Sequence, residues 1–170
     1  MLKIFRQILR TGVVTEELPL VDESKVTLTG ARLNEEVMKR FANSLTIRFV
    51  DAGSCNACEL ELNAVNNPIY DAERFGIHFT ASPRFADMLL VTGPVSRNME
   101  VALKRTYDAI PHPKLVVAMG VCGFNGGVFG ESYASLGSVG NVIPVNAYIH
   151  GCPPSPADIL NGILRVIGRK

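Results

Sequence analysis

Four cysteines are the residues of this chain best suited to chemistry, and their spacing is uneven. Cys55 and Cys58 form a CxxC pair in "DAGSCNACELEL", Cys122 stands in "MGVCGFNGG", and Cys152 stands in "HGCPP". Thiolates are nucleophiles and soft metal ligands, so three chemistries compete. A dithiol redox couple would use the first pair and leave Cys122 and Cys152 without a role. A structural zinc is tetrahedral and usually draws on two close pairs, whereas here one pair is followed by two singles. A [4Fe–4S] cluster is larger than one ion and takes ligands from separate loops; a proline after a ligand cysteine, as at Cys152-Pro153, recurs in cluster proteins. The cluster suits the spacing best. On spacing alone, zinc and merely buried apolar cysteines stay open.

The elements around these residues say how they meet. "LTIRFV" (45–50), "GIHFTA" (76–81), "ADMLLVTG" (86–93), "KLVVAMG" (114–120) and "VIPVNAYI" (142–149) read as strands, the third apolar enough to be buried on both faces. Helices are expected over 57–67, stopped by Asn67-Pro68, over 96–110 with Ser96 as cap, and over 155–168 with Ser155 as cap and Pro156 in the first turn. The alternation predicts a three-layer α/β domain around a mostly parallel sheet, spanning 44–170. Each cysteine then follows the carboxyl end of a strand, the edge where ligands bind in open parallel sheets. Glycines at 120, 123, 126, 127 and 151 let backbone amides crowd toward a bulky anionic group. The run lacks the endings of a P-loop or a dinucleotide turn.

Residues 1–43 read as an N-terminal extension facing a partner or a membrane. "MLKIFRQILR" sets Leu2, Ile4, Phe5, Ile8 and Leu9 largely on one helical face, and 11–39 reads as irregular and charged. The chain has 170 residues, suited to one compact domain. Charged residues make up 19% and the net charge is +1, which leaves no electrostatic footprint for nucleic acid. A mean hydropathy of +0.19 fits either a well-filled core or faces covered by partners. No apolar stretch is long enough to span a bilayer and no secretory signal is visible, so a cytoplasmic setting is expected, where cysteines serve as ligands more often than as disulfides.

"DAGSCNACELEL", "ASPRFADMLLVTGPVSRNM", "VVAMGVCGFNGGVFG" and "IPVNAYIHGCPPSPADILNGIL" together resemble the cluster-bearing small subunit shared by respiratory complex I and group 4 membrane-bound [NiFe] hydrogenases. The likeness runs from about Asn43 to Ile167 with the blocks in order. It implies a flavodoxin-like fold holding one [4Fe–4S] cluster, the proximal centre of an electron chain, on Cys55, Cys58, Cys122 and Cys152. It also implies an enzyme subunit that turns nothing over alone. Electrons would come from a ferredoxin-like iron–sulfur subunit and leave to a large partner bearing nickel-iron or a quinone site. Membrane-arm subunits would hold the assembly peripherally on the cytoplasmic face of the membrane. Complex I members have adjacent first cysteines, so "CNAC" followed by "ELE" resembles the hydrogenase branch; a B-type subunit passing electrons to quinone is the alternative. Glu61 matches a family glutamate and shares a helical face with Cys58, which implies a proton relay. Glu59 reads as a favourable first-turn charge. Arg84 and Arg97 fall in family blocks on the interface side. His150 departs from the family's usual proline and Ala57 from its usual glycine.

Overall fold

The structure, a computed structural model, describes residues 23–41 and 43–168 together with Lys3, Arg6, Leu9 and Arg10. The amphipathic stripe expected at 1–10 rests on Leu2, Ile4, Phe5 and Ile8, which lie outside the described residues. Helix α1 spans Glu23–Phe41 and precedes strand β1 (Leu45–Asp51) and helix α2 (Ala57–Ala64). Strands β2 (Ile77–Phe79) and β3 (Met88–Thr92), helix α3 (Arg97–Ala109), strand β4 (Leu115–Met119), helix α4 (Gly120–Asn125), strand β5 (Ala147–Ile149) and helix α5 (Pro156–Ile167) complete the order.

The five strands form one sheet in the order β2-β1-β3-β4-β5, and every pairing is parallel. This is the flavodoxin-like order, with the topological switch between β1 and β3. Both faces are covered. Met88 and Leu90 of β3 join α1, α2 and α5 in one apolar cluster, while Leu89 and Val91 join Leu103 of α3 in the other. That explains the unbroken apolar run of β3, all five of whose residues are buried. The three-layer expectation holds.

Two local readings need correction. The segment read as irregular is helical over Glu23–Phe41. Val26, Gly30, Leu33 and Val37 are buried at i, i+4, i+7 and i+11, a helical stripe. Gly30 hides it in the sequence because the Phe75 ring packs where a side chain would stand; an added Cβ would lie 2.1 Å from Phe75 Cζ. The strand expected over 142–149 shrinks to Ala147–Ile149, since Pro144 supplies no N–H for a ladder. Cys122 follows the carboxyl end of β4 as expected, inside the short helix α4.

Ser155 caps α5 as expected, accepting from the Asp158 amide while Asp158 accepts from Ser155. Ser96 holds the N-cap position of α3 without a side-chain cap bond.

Candidate cysteine centre

The loop from β1 to α2 is shaped by side chains. Asp51, the last residue of β1, accepts from the Gly53 and Ser54 amides at 2.8 Å each. Ser54 Oγ in turn accepts from the Asn56 amide at 3.1 Å. Asn56 then takes a left-handed conformation at φ 71° and starts α2, one turn of which carries Cys58 inward. Cys55 remains exposed and Cys58 is buried.

Behind Cys58 lies a carboxylate that sequence reasoning undervalued. Glu59 is 8% exposed. One of its oxygens accepts from Ser54 Oγ at 2.5 Å and the other from Thr92 Oγ1, at the carboxyl end of β3. Glu59 thus spans the switch point, tying the Cys55–Cys58 loop to the neighbouring strand. Buried carboxylates persist where such donors compensate lost hydration. The signal available in the sequence was Thr92 at the end of a fully apolar strand. Glu61 is half-buried on the same helix and has no side-chain partner among the described residues.

Cys122 and Cys152 come from the far half of the sheet. Gly120, at φ +85°, turns the chain from β4 into α4 so tightly that a Cβ there would lie 2.8 Å from Cys58 Sγ and 3.6 Å from the Gly151 carbonyl oxygen. The Val121 amide donates to that Gly151 oxygen at 2.9 Å, which pins the Cys152 loop to the start of α4. The Cys55–Cys58, Cys122 and Cys152 segments therefore meet around one glycine. Gly127 gives a second close approach, since a Cβ there would fall 2.6 Å from Cys122 Sγ.

The thiols sense one another. Burial pushes Cys58 up to about 12, and the negative charges of Glu59, Cys55, Cys122 and Cys152 add to it. Burial also raises Cys122, followed by Cys152 and Cys55, with backbone N–H donors at Val128 and Cys122 opposing. Among the described residues no group of three or more His, Cys, Asp or Glu side chains is close enough to hold one metal ion. The donor set itself, four thiols with glycines crowded between them, is chemically suited to a soft metal group.

The remaining candidates are peripheral. His150 is exposed, and its ring packs edge-on against Phe124 at 5.0 Å, as does that of Tyr148. Arg84 is exposed on the crossover between β2 and β3. Arg97 opens α3 and lines a cleft with Glu100 and Glu131.

A parallel α/β sheet with four cysteines along its carboxyl rim defines a class: a flavodoxin-like domain whose switch-point edge carries soft donor side chains. Residues 55–166 match the family model described as NADH ubiquinone oxidoreductase, 20 Kd subunit, and the chain belongs to that family. It is 41% identical over 138 residues to formate hydrogenlyase subunit 7 of Escherichia coli (strain K12), covering 81% of this chain and 54% of that protein, so it spans about half that relative's length. It is 43% identical over 129 residues to a probable membrane-bound hydrogenase subunit of Pyrococcus furiosus, covering 76% of this chain and 77% of that one.

Among solved structures it is similar to a chain of the membrane-bound sulfane sulfur reductase, an archaeal respiratory membrane complex, at 33% identity and TM-score 0.65, covering 84% and 74% of the two chains. A chain of an NAD+-reducing [NiFe]-hydrogenase aligns at TM-score 0.58 over 75% and 94%; its 17% identity bears on the fold alone. The family likeness read from the four sequence blocks is borne out, and with it the expectation of an oxidoreductase-subunit family. Among the described residues no helix is long and apolar enough to cross a membrane.

Proposed function

We propose that this chain is an electron-transfer subunit holding one [4Fe–4S] cluster on Cys55, Cys58, Cys122 and Cys152. It would relay electrons between a ferredoxin-like iron–sulfur subunit and the large catalytic subunit of a membrane-associated [NiFe] hydrogenase. The observation that carries the reading is the convergence of three cysteine-bearing segments on Gly120. When bound, the cluster supplies reversible one-electron transfer at a potential set by burial and by hydrogen bonds to sulfur. The chain's own residues do the rest. Gly120 and Gly127 admit the sulfurs to close quarters, and the Val128 amide reaches Cys122. Glu59 fixes the first ligand loop against β3. Glu61, without a side-chain partner among the described residues, stands on the helix that starts at the ligand pair, where its carboxylate would serve as a proton relay. The subunit sits on the cytoplasmic face of the membrane, held there by membrane-arm partners, and the N-terminal extension faces a partner or the membrane except for the buried stripe of α1, which packs on the domain core.

The hydrogenase branch is favoured by the CxxC spacing and by the likeness to formate hydrogenlyase subunit 7 of E. coli and to the probable membrane-bound hydrogenase subunit of P. furiosus. Two observations favour other terminal acceptors. The family description names a quinone reductase, and a similar solved chain belongs to a sulfane sulfur reductase. Anaerobic purification of the complex tests both levels. Iron and sulfide near four each per chain, with an EPR signal on reduction that is lost in Cys122→Ser, are expected. Zinc in their place sinks the electron-relay reading, and a large subunit without nickel sinks the hydrogenase branch.

A further inference from the structure

Among the described residues, one buried side-chain polar atom lacks a hydrogen-bond partner: Nε of Arg48. Such an orphan calls for a physical explanation, because buried donors are normally satisfied. Arg48 stands on β1 one residue beyond Ile47, the last position at which β1 pairs with β2. From there the β2 side of β1 is open, and a cavity of about 290 Å³ lies against it.

The lining of that cavity is selective. Phe49 and Phe79 supply apolar walls, and Asn63, Asn66 and Thr80 supply polar groups; no aspartate or glutamate is among the lining residues. Asn63 and Asn66 are exposed at the cavity's rim, and their carboxamides have no protein partner among the described residues. Among the described residues the guanidinium makes one hydrogen bond, Nη1 donating to the Thr80 carbonyl oxygen at 3.4 Å, long for an N–H donor. No ion pair to Arg48 is found among the described residues. A guanidinium stays charged at any physiological pH and presents a planar fork that matches a carboxylate. One water would quiet the orphan Nε but leave the charge unpaired.

We propose that this cavity is a carboxylate-binding site, with Nε–H and an Nη–H of Arg48 forked onto the two carboxylate oxygens and the amides of Asn63 and Asn66 flanking them. The volume lies at the lower edge of small-molecule pockets and suits an aspartate or glutamate side chain of a partner, or a small free carboxylic acid. The site uses no cysteine, so it stands or falls independently of the cluster reading.

The test is titration of the ¹⁵N-labelled full chain with sodium acetate, against sodium chloride at matched ionic strength. The Arg48 Nε–Hε resonance is assigned by its loss in Arg48→Met. Acetate is expected to move that resonance saturably, chloride to leave it in place, and the other arginine resonances to stay put. Arg48→Lys, which keeps the charge without the fork and guards against misfolding of the methionine variant, is expected to weaken acetate binding at least tenfold, read from other shifted amides around Thr80. The source is read by repeating the titration as a thermal shift on the assembled complex. Stabilisation by acetate in the isolated chain alone means that a partner's carboxylate fills the site; stabilisation in both means a free acid. A resonance that ignores acetate, or follows chloride equally, overturns the proposal.

Discussion

The two halves of the cysteine centre are held in place by opposite means. The β1–α2 loop, with Cys55 and Cys58, is fixed by side chains: Asp51 gathers two amides, and Glu59 reaches across to Thr92. The segment from Gly120 to Gly127, with Cys122, is fixed by backbone conformations that bring main chain within contact of two sulfurs. A site held by side chains fails when a partner is removed. A site held by bare backbone fails when an atom is added. The two halves should therefore respond differently to substitution.

The largest effect is expected on the backbone-held side. Gly120→Ala places a methyl 2.8 Å from Cys58 Sγ at φ +85°. Left-handed conformation costs an alanine about 1–2 kcal/mol, and overpacking adds about 1–3 kcal/mol. We expect a loss near 3 kcal/mol in urea unfolding of the cluster-free chain, together with loss of bound iron. An alanine variant that keeps full iron content and stability would show that the Gly120 turn is slack and the convergence is not tight.

Next comes the side-chain clasp. Glu59→Ala strands Thr92 Oγ1, on a residue that is fully buried, and frees Ser54. Losing hydrogen bonds to a charged group and leaving a buried donor unpaired costs about 2–3 kcal/mol. Glu59→Gln keeps an acceptor for one hydroxyl and a donor for the other, so it should recover all but about 1 kcal/mol. Equal loss in both variants would mean that charge, rather than the hydrogen-bonded geometry, is what matters here.

The same contrast explains what was legible in the sequence. The succession of strands and helices and the position of every cysteine after a strand's carboxyl end follow from apolar runs and turn residues, which the sequence displays directly. The convergence around Gly120 was legible only as a density of glycines, because close approach of backbone leaves no side-chain signature. Glu59 was passed over in favour of Glu61. Both lie on one helix, and which is buried depends on Thr92, a residue distant in the chain that the parallel pairing of β1 and β3 brings alongside. Helix α1 was hidden for a related reason. Its stripe is interrupted by Gly30, whose contact is the Phe75 ring more than forty positions on. Local patterns report elements well; contacts across the sheet leave them only through particular pairs.

A smaller, pH-dependent effect follows from the burial of Cys58. In the cluster-free chain this thiol is moved from 9.0 to about 12, by burial first and neighbouring negative charge second. Between those values the unfolded chain releases the proton while the folded chain keeps it. Folding stability should therefore be indifferent to this group below pH 9 and decline as pH rises toward 12. Chemical unfolding from pH 8 to 11 should show that decline, and Cys58→Ala should flatten part of it. Alkylation by iodoacetamide at pH 8 should also label Cys58 far more slowly than an ordinary thiol, since the thiolate is the nucleophile. Fast labelling would mean that the α2 end of the loop opens readily, and that the clasp at Glu59 is weaker than its geometry implies.

The smallest expected effect separates position from charge in the loop itself. Asp51 is exposed and uses one oxygen to gather the Gly53 and Ser54 amides. Asparagine carries the same acceptor at the same place, so Asp51→Asn should change stability by about 0.5 kcal/mol or less, whereas Asp51→Ala removes the acceptor and should cost about 1 kcal/mol. Urea unfolding checks both, and the order matters more than the values. If asparagine proves as damaging as alanine, the negative charge itself is holding the amides. The β1–α2 loop would then rest on two carboxylates, Asp51 and Glu59, facing a rim of thiols that must all carry negative charge once they act as ligands. That repulsion would have to be offset by the cationic iron–sulfur core of the proposed cluster, which would make the folded loop depend on its metal far more strongly than a loop held by geometry alone.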